Sequence, residues 1–399
     1  MLTSNHVNNE LIKFRREVIT DFLRRSRYDP FMGDDSTAPI VRLADLEANG
    51  KEINIPLVTQ LAGPGVGIGT LRGNEELLDS YGFPMWADWA RNAVANNRAV
   101  NKESSFDVRS TARNLLRGWA RRVVRDDLTD ALFTIPTSAI QANRFTAPGN
   151  RINGIKMASA TVAQRNSWLL ANNDRVLFGK DLANASSNVF ATAMGTVDTT
   201  NDLMTAANGS LMKQLAKQSG VTIGSGGVYN GRPKINPWQL PELDEELYVM
   251  FIGDRNFQNL QSDPVMYQAN RDARAREGNS VATNPIFTGG ALQYDGIIYK
   301  NIPEITQRCL IPSGTFGAIT DVEPVFLCGQ AALAYALGQM PRATMLEDGD
   351  YDFVTGIGIE TQYGVAKVAK APLTTAGATV GDLVDWGMVT GFMAAPAHT

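Results

Sequence analysis

Histidine is almost absent from this 399-residue chain, which contains only His6 and His398. With no histidine in the interior of the sequence, a Ser-His-Asp triad, a Cys-His dyad and a histidine-bound zinc site are excluded. Cysteine is equally scarce, and Cys309 and Cys328 do not have the spacing of metal ligands or of a redox pair. We therefore expect two buried free thiols.

Long apolar runs and an excess of positive charge are also missing. No stretch of about 18 apolar residues occurs, so we expect no membrane-spanning segment. Residues 1–10 are polar and have no apolar stretch of the signal-peptide type, which predicts a protein made and kept in a cytoplasm. The formal net charge of −4 argues against a dedicated nucleic-acid binder with a wholly basic surface.

The most informative feature that is present is a row of arginines at intervals of four residues. This spacing places side chains on one face of a helix. The arginine row consists of Arg109, Arg113, Arg117, Arg121 and Arg125. Like charges at this spacing repel one another, so the row needs partners, either carboxylates or a polyanion.

Apolar residues at helical spacing predict that this helix runs over residues 104–133 and buries the side opposite the arginines. The predicted apolar side consists of Val108, Ala112, Leu115, Leu116, Trp119, Val123, Leu128 and Leu132. Such a helix would be roughly 45 Å long, far beyond the usual three turns. A rigid bar of this length with a basic edge indicates a structural part rather than an active site.

Glycine is concentrated in residues 63–73, which include Gly65, Gly67 and Gly69. A dinucleotide-binding fingerprint that begins at Gly65 would need glycine at the position of Thr70. No Gly-Lys-Ser/Thr sequence follows, so the segment is not a P-loop. We interpret it as the exposed tip of a β-hairpin.

The remaining pattern alternates short strands and helices. Strands at 40–43 and 53–57 flank Asn49-Gly50 and predict a hairpin there. Further helices are predicted at 161–172, 180–194, 202–219, 254–278 and 330–339. Further strands are predicted at 247–253, on both sides of Tyr294-Asp295-Gly296 and as a pair within 351–370, with a short strand or helix within 380–394.

Three stretches carry a resemblance to a known family. They are Gly73-Asn74-Glu75-Glu76-Leu77, the helical segment 112–116, and Asn284-Pro285-Ile286-Phe287-Thr288-Gly289-Gly290-Ala291-Leu292 with Tyr294-Asp295-Gly296-Ile297. The chain resembles the major capsid proteins of tailed bacteriophages with the Hong Kong 97-type fold, and the closer match is the coliphage N-four type. The likeness runs from about residue 10 to residue 370.

The resemblance implies an α+β fold with four parts. Residues 1–38 would form an N-terminal arm and residues 39–100 an extended hairpin loop. A peripheral domain, with the long helix as its spine, would combine residues 101–235 and 346–399. An axial domain would take residues 236–345.

The implied function is self-assembly into an icosahedral head shell of hexamers and pentamers around double-stranded DNA, with no enzymatic activity, cofactor or metal. The protein would be made in the host bacterial cytoplasm and located in the virion, with a portal protein as partner; scaffold and decoration proteins stay open. The arginine row would contact carboxylates of its own or a neighbouring subunit, or packaged DNA.

Two alternatives remain at this stage. One is an encapsulin-like cellular compartment, which shares the fold. The other is a carboxylate-dependent metal enzyme, for which two groups of acidic residues are candidates. They are Asp126, Asp127 and Asp130, and Glu242, Asp244, Glu245 and Glu246.

Overall fold

The computed structural model describes most of the chain. The described residues are 27–44, 52–59, 61, 66–75, 80–97, 108–136, 150–185, 187–221, 232–240, 245–269, 291–349, 353–371 and 383–397. Several predictions fall outside them: the turn at Asn49-Gly50, Gly65, the motif at 284–290, Glu242 and Asp244, and the side chains of Arg109 and Glu245.

The described residues form α-helices and β-strands in a mixed order. The helices are α1 (Val108–Leu132), α2 (Val162–Ala171), α3 (Phe190–Met194), α4 (Ala206–Gln218), α5 (Asp254–Ser262) and α6 (Pro303–Cys309). The first strands are β1 (Met32–Gly33), β2 (Ile40–Leu43), β3 (Glu52–Val58), β4 (Ser80–Trp86), β5 (Asp88–Asn97), β6 (Thr134–Ile135), β7 (Ile152–Asn153), β8 (Ile155–Lys156) and β9 (Val176–Phe178). The later strands are β10 (Trp238–Leu240), β11 (Glu245–Ile252), β12 (Ala291–Tyr294), β13 (Ile297–Asn301), β14 (Val322–Cys328), β15 (Leu333–Gly349), β16 (Val354–Lys367), β17 (Ala369–Lys370), β18 (Val384–Asp385) and β19 (Met388–Ala394).

The first large sheet carries the long helix. Its strand order is β1-β2-β15-β16-β5, and β7 pairs with β16. Helix α1 packs across β16 and β5. Ile357 and Ile359 of β16 belong to the same buried cluster as Leu116 and Val124 of α1. The hydrophobic contact between the helix and this face of the sheet fixes α1 in place.

The second large sheet lies between two hydrophobic layers. Its order is β12-β13-β11-β14-β19-β9, with β10 beside β11. Val249 and Phe251 of β11 face one buried cluster, while Tyr248 and Met250 face another that includes residues of α4 and α5. Because side chains alternate between the faces of a strand, a strand buried on both faces reads as a continuous apolar run.

Two aromatic residues near the start of the described chain are inserted into the core. The Tyr28 hydroxyl lies 2.8 Å from Oγ1 of Thr129 on α1, and its ring contacts Phe251 edge to face at 5.2 Å between centroids. Phe31 contacts the same Phe251 ring at 5.5 Å. The segment before β1 is therefore anchored between α1 and the second sheet.

The predicted hairpin between strands 40–43 and 53–57 is wrong. Strand β2 pairs in parallel with β1 and with β15, whereas β3 pairs with β4 in antiparallel register from Glu52↔Trp86 to Val58↔Ser80. Ile40 and Val41 are buried because β2 pairs with β15, a strand almost 300 residues later in the chain. A local turn signal contains no information about such a distant partner.

The predicted helix at 330–339 is also wrong. Leu333–Gly349 is a single strand, paired with β16 on one side and with β2 on the other. The predicted strand pair within 351–370 is instead mainly one long strand, β16, which lies between β15 and β5. Burial between neighbouring strands outweighs the helix propensity of the alanine- and leucine-rich segment.

Other predictions are confirmed. Asp295 and Gly296 form a tight turn with positive φ of 50° and 66° between β12 and β13, and residues 247–253 lie mainly in β11. The mixed α+β class is confirmed.

Both large sheets take strands from each side of the proposed 345/346 boundary, because β15 and β16 pair and β19 lies beside β14. The four-part division stays a prediction.

Candidate functional site

The long helix has the predicted position, and its described length of 25 residues corresponds to about 37 Å. Its buried side is formed by residues at intervals of four: Ala112, Leu116, Ala120, Val124 and Leu128. Leu115, which the sequence places on the buried side, is 66% exposed, and Trp119 and Val123 are only partly buried. The contacts of α1 with β16 and α6 set which residues are covered.

The arginine row borders this buried side instead of facing away from it. Four members of the row are half-buried, and each of these four follows a buried residue by one position: Arg113, Arg117, Arg121 and Arg125. The Nε atoms of Arg117, Arg121 and Arg125 have almost no contact with solvent. The aliphatic stems therefore lie along the edge of the core, and Nη2 of Arg121 is shielded from solvent as well.

The C-terminal part of α1 is bound to α6 by ion pairs. Arg125 Nε lies 2.9 Å from Glu304 Oε1. In the opposite direction, Arg308 donates through Nε and Nη2 to the two oxygens of Asp130, at 2.6 and 2.5 Å. Lys156 adds a third contact to Asp130 at 2.6 Å. Each helix therefore contributes one arginine and one carboxylate to the ion pairs between them.

Asp130 is ionised in this arrangement. Burial alone would raise the pKa of its carboxyl group, but hydrogen bonds from Arg308 and Lys156 hold the pKa below its ordinary value. The same carboxylate raises the pKa of the Arg308 guanidinium. The pair is therefore a structural clamp with both members charged.

Asp127 ties the same helix to the first sheet. Its Oδ2 atom accepts hydrogen bonds from Nε of Arg151 at 2.7 Å and from the hydroxyl of Tyr363 at 2.6 Å. Burial and the neighbouring Asp127 charge raise the pKa of Tyr363, so the hydroxyl stays protonated and donates. Each carboxylate at this end of α1 is bound by cations or hydroxyl donors.

These contacts leave little support for a carboxylate-bound metal. In the part of the chain that the structure describes, no group of three or more His, Cys, Asp or Glu side chains could hold a metal ion. Glu246 of the second candidate group is exposed and lies 3.7 Å from Lys217. Cys309 and Cys328 are buried free thiols, as expected, and burial raises the pKa of both.

The glycine-rich segment follows β3 and precedes β4. Gly67 and Gly69 are exposed, and residues 70–75 form a turn in which Asn74 donates from its side chain to Thr70 O at 2.9 Å. Apolar side chains in this connection are unusually open to solvent: Leu61 is 65% exposed, Leu71 67% and Ile68 fully. All three of these exposed aliphatic side chains belong to the connection between β3 and β4.

A buried ion pair was not foreseen from the sequence. Lys367 Nζ lies 2.8 Å from Asp385 Oδ2, and both side chains are almost completely buried. The Trp168 ring lies 5.1 Å from the ammonium group, and the Arg175 guanidinium donates to the Asp385 carbonyl. Lys367 and Asp385 are 18 residues apart, but Trp168 and Arg175, which surround the pair, lie about 200 residues earlier in the chain, so no local pattern indicated its burial.

The sequence as a whole matches one protein family. A family model described as phage capsid protein matches residues 3–390. The chain belongs to the phage capsid protein family. A search of curated proteins finds no match for this capsid protein. Among the described residues, no helix is both long and apolar enough to cross a bilayer.

Solved capsid structures are similar to this capsid protein along nearly its whole length. The cyanophage Pam1 capsid protein shares 28% identity, with 94% of each chain covered and a TM-score of 0.75. The capsid of Ralstonia phage GP4 shares 18% identity over 92% of this chain and 90% of its own, with a TM-score of 0.65. A chain in the head structure of Helicobacter pylori bacteriophage KHP40 shares 12% identity over 93% of this chain and 91% of its own, with a TM-score of 0.59. The last two show the common fold.

Proposed function

We propose that this protein is the major capsid protein of a tailed phage. Copies of it assemble as hexamers and pentamers into an icosahedral head shell that encloses double-stranded DNA. The fold is of the Hong Kong 97 type, related to the coliphage N-four capsid proteins. A long helix packed on a long-stranded sheet, a preceding β-hairpin and a second sheet support this assignment.

The observation that carries the proposal is the exposed apolar surface of the hairpin β3–β4. Leu61, Ile68 and Leu71 are left open to water in the single subunit, although each would gain about 1.5–3 kcal/mol on full burial. A neighbouring subunit that covers the hairpin tip would supply that burial. Repeated head-to-tail contacts of this kind close into rings and then into a shell.

The four proposed parts have separate roles in such a shell. Residues 1–38 are the arm and residues 39–100 the loop that reach neighbouring subunits. Residues 101–235 and 346–399 form the peripheral domain, and residues 236–345 form the axial domain at the local symmetry axes. The buried Tyr28 and Phe31 support the arm assignment, because they hold its base in the subunit core.

The proposed partners follow from the same role. The arginine row contacts carboxylates of its own or a neighbouring subunit, or the phosphates of packaged DNA; its members are Arg109, Arg113, Arg117, Arg121 and Arg125. Within the subunit, Arg125 lies beside Glu304. Phosphate contacts would be independent of sequence and sensitive to salt. A portal protein completes the shell, with scaffold or decoration proteins as additional partners. Synthesis takes place in the host bacterial cytoplasm and the mature location is the virion.

The hairpin surface provides a direct test. We would express the full chain and a variant with Leu61→Ser, Ile68→Ser and Leu71→Ser, and examine both by light scattering and negative-stain microscopy. We expect shell-sized particles from the parent chain and folded, unassembled subunits from the variant. Val162→Ser serves as a control, because Val162 is 61% exposed but lies outside the hairpin. Normal particles from the triple variant would contradict the proposal.

A further inference from the structure

The hairpin β3–β4 has two long edges in addition to its exposed tip. The two strands pair with each other in a sheet of their own, and among the described residues no third strand joins them. Unpaired edges present N–H and C=O groups to which another chain can add a strand. A neighbouring subunit therefore has two ways to contact the hairpin: strand addition at an edge, or side-chain contacts at the tip.

Two proline residues show which backbone groups of the hairpin point outward. Pro56 lies opposite Gly82, and Pro84 lies opposite Asn54. Because proline has no N–H group, neither pair can be one in which the two residues exchange hydrogen bonds. The even-numbered residues of both strands therefore direct their N–H and C=O groups away from the partner strand.

Each edge lacks a donor at a position where an added strand needs one. On β3 the outward positions are 52, 54, 56 and 58, and Pro56 interrupts them. On β4 they are 80, 82, 84 and 86, and Pro84 interrupts them. At most two consecutive outward donors are left on either edge of the described strands. Proline on an edge strand is one of the means by which natural sheets prevent strand addition.

A side chain closes the end of the β4 edge. The Asn153 side chain accepts a hydrogen bond from the Trp86 N–H at 2.9 Å and donates to the Trp86 carbonyl at 3.1 Å. The amide group therefore takes the place of one residue of a neighbouring strand. Asn153 belongs to β7, which pairs with β16, so this closure is anchored in the first sheet.

The side chains of the hairpin are divided between two faces. The odd-numbered residues of both strands pack into a buried cluster with the first sheet: Ile53, Ile55, Leu57, Tyr81, Phe83 and Met85. The opposite face and the tip carry the apolar side chains that are open to solvent: Val58, Leu61, Ile68 and Leu71. The hairpin thus offers a partner apolar side chains, whereas its edges offer only interrupted rows of hydrogen-bonding groups.

We propose that a neighbouring subunit contacts this hairpin through side chains alone, because Pro56, Pro84 and Asn153 close both edges to strand addition. The partner is a second copy of this chain that presents an apolar side-chain surface to the tip, and not the edge of a sheet. The contact with a second copy rests on the proposed function, whereas the closure of the edges is a property of the single subunit. Closed edges prevent unassembled subunits from pairing through their strands before a shell forms.

Substitution of the two prolines tests the closure of the edges. We would compare the full parent chain with Pro56→Thr/Pro84→Thr, at concentrations below that at which particles form. The variant should aggregate roughly tenfold faster and show an intermolecular β-sheet band in the infrared spectrum, because each restored hydrogen bond favours strand addition several-fold. Pro56→Ala/Pro84→Ala should act in the same direction, since alanine restores the N–H groups without the strand propensity of threonine. Pro312→Thr is the matched control, at an exposed proline outside the described strands.

Soluble, monodisperse subunits from both double variants would overturn the closure of the edges. Circular dichroism establishes that each variant folds, and the single substitutions at positions 56 and 84 provide the second measurement if a double variant does not.

A cryo-EM map of particles from the parent chain tests the contact itself. We expect side chains of a neighbouring copy against Leu61, Ile68 and Leu71, with no strand of that copy hydrogen-bonded to the hairpin. A strand of another copy on either edge would overturn the proposal. A parent chain that forms no particles would contradict the proposed function instead, and the aggregation comparison would still decide whether the edges are closed.

Discussion

Arg125 of α1 and Glu304 of α6 lie 2.9 Å apart, Nε to Oε1, so the last residue of the arginine row is neutralised within its own subunit. Glu304 is buried and stands at the N-terminal end of α6, where a helix favours negative charge. The arginine row therefore contains at least one ion pair within the subunit, and this pair joins α1 to α6.

The pair between Arg308 and Asp130 should contribute measurably to stability. Arg308→Ala leaves a buried carboxylate with Lys156 alone, and we expect a loss of about 2 kcal/mol in the free energy of unfolding. Arg91→Ala is the matched control, because Arg91 is exposed and lies 3.6 Å from Glu360, which predicts a loss below about 0.5 kcal/mol. Denaturant unfolding of unassembled subunits measures the free energy of unfolding of both variants. Equal losses would contradict a stabilising role of the pair between Arg308 and Asp130.

Asp130 should also make the subunit sensitive to acid. Its pKa in the folded state lies below the ordinary value of 3.8, so its stabilisation is present above that value and is lost as the pH falls through the folded pKa. Asp130→Asn should lower stability at neutral pH, and the difference from the parent chain should shrink towards pH 3. Unfolding free energies measured across this range test the prediction; a constant difference would refute it.

Two glycines should respond to alanine in opposite ways. A Cβ at Gly364 on β16 would overlap the carbonyl oxygen of Trp86 on β4, so we expect Gly364→Ala to cost about 3 kcal/mol. Gly118 lies on α1 with open space around it, and Gly118→Ala should stabilise by about 0.5–1 kcal/mol. Thermal unfolding of the two variants provides the comparison, and a stable Gly364→Ala chain would show that β4 and β16 can separate.

Charge reversal within the arginine row should impair the particle. Arg113→Glu combined with Arg117→Glu reverses the charge at two half-buried positions, and we expect few particles or particles without DNA. Particle yield and DNA content per particle are the measurements. Arg122→Glu, at an exposed position of the same helix, is the control. Normal DNA-filled particles from the double variant would exclude both proposed roles of these arginines.

Periodicity sufficed to predict α1, because a helix of 25 residues repeats its apolar spacing many times. It did not reveal the position of Leu115 or the burial of Ala120 and Val124. Those depend on where β16 and α6 lie against the helix. The arginines could be predicted as a row, but not as the border of the core, because their stems are long enough to lie on either side.

Contacts between distant segments account for the rest of what the sequence did not reveal. Residues 333–339 form a strand because β2 and β16 flank them, and a local window contains neither partner. Arg308 and Asp130 are 178 residues apart in the chain. Oγ1 of Thr306 accepts a hydrogen bond from the Asp254 N–H at the start of α5, 52 residues earlier in the chain, so this cap left no local signal.

The position of β19 has a consequence for the timing of folding. This strand lies between β14 and β9, with its full length buried, although it is made after all the other strands of that sheet. A growing chain on the ribosome cannot close the sheet until residues 388–394 have emerged, because β9 would have no neighbour and β14 an open edge. The second sheet can therefore be completed, and the subunit can assemble with its neighbours, only after β19 has been translated.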